Sequence, residues 1–160
     1  MSAVELIWGT PYDTFIAEAA PMTLKHWSEV GSHRSILRFD PNHEVYRALD
    51  RAGRLHILVV RVDGQLAGYL FVITAPHPRD QQATLAKDDI FYAAPQYRRL
   101  RLGPLMIASA LEYLRGRADI VFFTEKLRRK NGGYLRRFGF EPQEQTWAKV
   151  LRNPHEEPSA

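Results

Sequence analysis

The chain has 160 residues, 45% of them hydrophobic and 25% charged, enough for one domain with a real core and too few for two. Its net charge of +4 is uneven: Tyr97 to Arg137 carries eleven Lys/Arg against three acids, a net of +8, so this part would attract a polyanion and the remainder, at −4, would not. The absence of cysteine excludes disulfides, thiolate metal sites and a cysteine nucleophile, and with no apolar run of membrane-spanning length and no signal-like N-terminus a cytoplasmic protein is expected.

Val4 to Trp8 reads as a first strand, turned by Gly9-Thr10-Pro11. Asp13 or Thr14 can cap a helix that carries Phe15, Ile16 and Ala19 on one face, and Pro21 is expected to interrupt or kink it. Thr23 to Val30 forms a second helical stretch, with Gly31 as its stop. Asp40-Pro41 predicts the start of another helix, as N-cap and first residue, with Val45, Tyr46 and Leu49 at helical spacing. Leu55 to Val62 and Gln65 to Thr74 flank Asp63-Gly64, the pattern of a type I′ hairpin. Ala75 to Asp80 reads as a loop and about Ala83 to Ala93 as a strand.

That strand stops at Pro95, which has no N–H to give a ladder. Tyr97-Arg98-Arg99-Leu100-Arg101 follows, then Gly103-Pro104 and an apolar helical pattern from Leu105 to Leu114. Strand, short basic turn and helix N-terminus together make an anion site: backbone N–H groups, the positive helix end and three guanidiniums converge. A solvated basic turn at a helix start is the plainer alternative. Ile120 to Thr124 is a short, wholly apolar strand, as expected of a central or parallel one. Lys126 to Phe138 reads as a basic helix broken or started near Gly132-Gly133, and Phe138-Gly139-Phe140 turns into a final strand, Thr146 to Leu151. We expect one domain over residues 1–152 and a frayed tail over 153–160.

At the basic turn the chain resembles the GNAT superfamily of N-acetyltransferases, whose acetyl-CoA motif is Q/R-x-x-G-x-G/A directly after a strand. Arg98-Arg99-Leu100-Arg101-Leu102-Gly103 fits its first and last positions, and Arg101 stands in place of the middle glycine. The sections His26-Trp27-Ser28-Glu29, Asp89-Ile90-Phe91-Tyr92 and Phe138-Gly139-Phe140 are similar to the group encoded by bacteriophages and prophages. The resemblance implies a mixed, mostly antiparallel α/β (α+β) sheet, splayed at a central bulge between the strand ending at Ala93 and the one at Ile120, with helices on both faces. It implies acetyl-CoA as co-substrate, its pantetheine paired with Phe91, Tyr92 and Ala93. Its pyrophosphate would lie on Arg98, Arg99, Leu100, Arg101, Leu102, Gly103 and Pro104.

Acetyl transfer to an amine wants a base, and a proton donor for the departing thiolate. The family's usual base position falls on Lys87, which cannot serve while charged; Asp89, expected on the same strand face as Lys87, Phe91 and Ala93, is the candidate, or else a partner of Lys87 or Arg61. Asp88 is expected to be structural. The usual tyrosine position is Leu135, with Tyr134 adjacent as a substitute donor or a packing residue. Glu29, three residues after His26 on one helix face and with Glu18 a helix earlier, could hold or deprotonate a cationic amine, or form a local surface pair. No metal site is expected. The reading is an acetyl-CoA-dependent N-acetyltransferase acting on a primary amine of a small molecule or protein, with a homodimer open. Its alternatives are an acyl-CoA-binding module without efficient catalysis, suggested by Lys87, Arg101 and Leu135, and a basic nucleic-acid-binding domain, suggested by Lys126 to Lys130 and Arg136-Arg137.

Overall fold

The computed structural model describes residues 2–126 and 132–156. Five strands form one sheet in sequential order: β1 (Val4–Trp8), β2 (Leu55–Val62), β3 (Gln65–His77), β4 (Asp80–Ala93) and β5 (Ile120–Phe122). The first four pair antiparallel and β5 runs parallel to β4. Both faces are covered, so β2 and β3 read as nearly continuous apolar runs. On one face Leu58, Val60, Leu70, Val72 and Ala86 pack beneath Leu102, Met106, Ala110 and Leu114 of α3 (Leu102–Leu114). On the other, Ile57, Val59, Tyr69 and Phe71 pack beneath Tyr12, Phe15 and Ala19 of α1 (Tyr12–Val30), with Tyr46 and Leu49 of α2 (His43–Arg51) at the side. The period-two alternation of each strand serves both cores.

The hairpin turn is as its sequence predicts: Asp63 and Gly64 both take positive φ, 49° and 78°. Several elements differ from expectation. α1 is one helix and runs through Pro21, which is exposed. Proline costs a hydrogen bond and crowds the preceding turn, and the apolar stripe that continues on both sides of it holds the helix against the sheet. No side chain of its own segment caps α1; the Tyr12 N–H donates instead to Asp50 Oδ2 of α2 at 2.9 Å. α2 starts two residues later than Asp40-Pro41 suggests, because Asn42 is the cap and accepts from the Val45 N–H at 3.3 Å. The expected loop at 75–80 is the tip of a long hairpin, with His77 facing Asp80 across the turn. Residues 141–152 form no strand, and Trp147 and Leu151 stand 84% and 87% exposed. A sixth strand would need an edge to pair with, and β5 offers three residues. Of the basic run at 126–130, only Lys126 lies within the described residues. α4 (Gly132–Arg137) starts at the paired glycines.

Two irregularities shape the centre of the sheet. β4 pairs with β5 only from Leu85 to Lys87, after which the strands part. In the same place the register against β3 slips: Phe71 faces Ile90 and Val72 faces Asp88, so Asp89 is the extra residue of a bulge. The bulge shifts the alternation by one. Ala86 lies in the α3-side core, and past the bulge it is Phe91 and Ala93 that pack there, with Ile90 and Tyr92 on the α1 side. Asp89 therefore does not share a face with Phe91 and Ala93, as a regular strand would have it.

Candidate active site

Beyond the fork the chain enters a 3-10 helix, Pro95–Leu100. Its turns are closed by the protein itself, the Tyr97 N–H donating to the Ala94 carbonyl at 2.9 Å and the Arg101 N–H to that of Arg98 at 3.0 Å. Arg101 then takes the left-handed conformation, φ 54° and ψ 41°, and α3 begins at Leu102 with no side-chain cap. A glycine would adopt that conformation without strain, which explains the motif preference from which this chain departs. Leu102 and Gly103, the first residues of α3 at its positive end, border a cavity of about 370 Å³, together with Ala93, Arg98, Arg101, Pro104 and Tyr134. A Cβ on Gly103 would meet the Phe91 ring at 3.7 Å, ordinary contact, so packing alone leaves room for alanine there.

The expected cofactor residues divide. Phe91 borders the fork. Antiparallel pairs alternate between bonded and non-bonded, and the Ala94 N–H donates to the Ala67 carbonyl, so Tyr92 is bonded to its partner Tyr69 while the backbone of Phe91 and Ala93 faces the gap. The Ala93 carbonyl accepts from Arg98 Nε at 3.0 Å. Arg98 is thereby folded back, and its Nη2 donates to Glu29 Oε1 at 2.5 Å. Arg99 is exposed, and Leu100 packs on the α3-side core; neither borders the cavity.

On the other side of the fork lies a larger cavity of about 720 Å³. Tyr69 and Phe71 of β3 lie against it, α1 contributes Phe15 and Trp27, α2 contributes Val45 and Tyr46, and the connection between them contributes Leu37 and Phe39. Asp88 and Asp89 enter from the bulge, and Tyr134 of α4 borders both cavities. The Tyr46 hydroxyl donates to Asp89 Oδ2 at 2.7 Å. Asp88 Oδ1 accepts from the Thr124 N–H at 2.7 Å, tying β4 to the chain after β5 where the ladder has ended. Burial pushes the Asp88 carboxyl up to about 6, against the lowering effect of its hydrogen bonds to Thr124. The Tyr134 hydroxyl is raised by burial first and then by the negative charges of Glu125 and Asp88.

This arrangement of a forked parallel pair, a bulge and an uncapped helix start has a counterpart in sequence: residues 18–140 match the Acetyltransferase (GNAT) family. The chain belongs to the GNAT acetyltransferase family. Among solved structures, an aminoglycoside acetyltransferase from an uncultured soil metagenomic sample, in complex with sisomicin, superimposes with a TM-score of 0.71 at 12% identity, over 93% of this chain and 97% of that one. A ribosomal-protein-alanine N-acetyltransferase from Brucella melitensis biovar Abortus 2308 gives 0.62 at 17% identity over 94% and 99%. Glucosamine-6-phosphate N-acetyltransferase from Arabidopsis thaliana gives 0.68 at 10% over 94% and 99%. At identities this low the likeness shows the fold alone. No curated protein matches by sequence. GNAT enzymes use acetyl-CoA as co-substrate.

Glu29 is built into the protein rather than the larger cavity: besides Arg98 it accepts from the Tyr92 hydroxyl at 3.1 Å. Tyr92 stacks on His26, ring centroids 4.3 Å apart, and His26 Nδ1 shares a hydrogen bond with the Tyr69 hydroxyl at 2.9 Å. Burial, with Lys126 adding to it, pushes His26 down to about 4, so its ring is neutral at pH 7. Glu18 forms a bidentate pair with Arg61, 2.7 and 2.6 Å, apart from His26 and Glu29. Tyr46 and Tyr69 escape sequence reasoning because each reaches the site from an element distant along the chain; their only signal is an aromatic on the apolar face of its element.

Proposed function

We propose that this GNAT enzyme transfers an acetyl group from acetyl-CoA to a primary amine. The observation that carries the reading is the fork itself, which opens the backbone of Phe91 and Ala93 toward a gap running from the start of α3 to the larger cavity, with Tyr134 at the junction. In this reading the amides of Leu102 and Gly103, with Arg101 beside them, hold the pyrophosphate. Pro104 opens the helix without needing a partner for an N–H, and Arg98, Arg99 and Leu100 shape the turn. Glu29 acts as a positioning residue that keeps Arg98 on the Ala93 carbonyl. Acetyl-CoA supplies an activated acyl group with a good leaving group. The protein supplies the rest. Asp89, oriented by Tyr46, takes the proton of the ammonium so that the nitrogen lone pair can attack. The N–C bond forms as the C–S bond breaks; the Tyr134 hydroxyl gives its proton to the departing sulfur and is restored by the second proton that the nitrogen sheds on becoming an amide, while the first leaves Asp89 to solvent. A backbone amide of the fork stabilises the oxygen that gains charge. Placement in the phage-encoded group rests on three short sections of sequence alone.

The test follows CoA release with acetyl-CoA and a panel of amines and peptides. Turnover that falls ~100-fold or more in Asp89→Asn, with acetyl-CoA binding retained, supports the reading. Failure to bind acetyl-CoA overturns it, and tight binding with no transfer to any acceptor returns the chain to a binding module.

A further inference from the structure

Resting on that reading, we infer that Tyr92 is a positioning residue for acetyl-CoA: its hydroxyl fixes Glu29, and Glu29 fixes Arg98 on the edge of the smaller cavity. Tyr92 itself borders neither cavity.

The alternation of β4 places it. Tyr92 stands between the two residues whose backbone faces the gap, so its own backbone pairs with Tyr69 and its side chain passes to the α1 side. There it is 5% exposed, and its ring lies against three partners. His26 stacks on it at 4.3 Å, the Tyr69 ring is tilted at 5.8 Å, and the Arg98 guanidinium carbon is 5.8 Å from its centroid. A ring so confined has one place for its hydroxyl. That hydroxyl donates to Glu29 Oε2, while Oε1 accepts from Arg98 Nη2.

The Glu29–Arg98 pair alone would hold its geometry poorly. The side chains are 24% and 43% exposed, so water competes for both, and two long side chains must be ordered. The buried tyrosine removes that freedom from the carboxylate. Arg98 in turn donates from Nε to the Ala93 carbonyl, which ties the 3-10 helix back to the end of β4. The Arg98 carbonyl accepts from the Arg101 N–H just before α3. One residue thus sets both the place of a cation in the smaller cavity and the turn that presents the start of α3.

A carboxylate here works against anion binding, because it diminishes the positive potential that a diphosphate would feel. Order offsets this: a guanidinium already held by two bonds loses less freedom when an anion arrives.

The experiment measures the acetyl-CoA Kd by calorimetric titration for the parent, Tyr92→Phe, Arg98→Ala and the double variant, with denaturant unfolding of each alongside. Tyr92→Phe keeps the ring and every charge and removes one hydroxyl. We expect it to raise Kd about fivefold, the scale of one hydrogen bond. In the Arg98→Ala background the same change should move Kd by less than about twofold. A hydroxyl with a merely structural role lowers unfolding free energy and leaves Kd alone, or shifts Kd equally in both backgrounds, and either result overturns the inference. Tyr113→Phe removes a hydroxyl bonded to His56 at the other end of α3. It should leave Kd within about twofold, and a shift as large as that of Tyr92→Phe also overturns the inference. Failure of the parent to bind acetyl-CoA removes the acetyltransferase reading as well; a parent that binds, matched by Tyr92→Phe, leaves that reading intact and removes the role of Tyr92.

Discussion

Arg101 concentrates two opposing effects on one residue. It occupies a left-handed conformation that disfavours any side chain with a Cβ, while it also supplies a positive charge to the lining of the smaller cavity. Arg101→Gly should therefore raise unfolding free energy by about 1 kcal/mol and weaken acetyl-CoA binding by roughly fivefold or more. Denaturant unfolding and calorimetric titration of the same variant give the two signs. Asp88 makes a different prediction. Its carboxyl is raised by burial to about 6, so between the ordinary carboxylate range and that value the folded chain binds more protons than the unfolded one. Stability contributed by the neutral form is present at low pH and is lost as pH rises through about 6. Asp88→Asn keeps an acceptor for the Thr124 N–H and removes the buried charge. It should match the parent near pH 4 and exceed it at pH 8 by at most about 3 kcal/mol, read from unfolding at the two pH values. What the sequence could not show was the face each aspartate takes. One extra residue in a bulge reverses the parity of everything after it, and no residue type announces the slip.

At the scale of elements, the hairpin, the first strand, the basic turn and the helix after it are legible because their signals are local: Asp63-Gly64 at positive φ, and Pro95 ending a ladder. The misread parts were decided across space. α1 survives Pro21 because its stripe faces a core, and its N-terminus is capped from α2. β3 and β4 continue past the expected loop because each supplies the other's hydrogen bonds. The link from α1 to the sheet, through His26, Tyr69, Tyr92 and Glu29, has its own pH signature. His26 is lowered from its ordinary value to about 4, so between about 6.5 and 4 the unfolded chain binds the extra proton. Stability is complete above that window and lost as pH falls through it. Asp88 acts in the opposite sense over part of the same range, so the comparison belongs in the Asp88→Asn background. There His26→Gln should flatten the loss of stability between pH 6.5 and 4, by about 3 kcal/mol at most. An unchanged slope would place the titration elsewhere.

Across the whole molecule, the uneven charge seen in the sequence is sorted between the two cavities. The charged side chains of the smaller one are Arg98 and Arg101, whereas Asp40, Asp88, Asp89 and Glu125 outnumber Arg38 and Lys126 in the larger. A polyanion and a cation thus have separate approaches that meet at the fork. The motif at residues 98–103 made the anion side readable. The acceptor side was not, because its walls come from five elements and no short pattern encodes them. Everything functional depends on the gap between β4 and β5 receiving acetyl-CoA with its diphosphate on the start of α3. The direct measurement is a titration of the isotope-labelled chain with CoA, followed by backbone amide NMR. The largest shifts should fall on Leu102 and Gly103, with Phe91 and Ala93 next, and with little change at Glu18 or Arg61. Shifts confined to exposed arginines, with the amides of 91–103 unmoved, would contradict the account.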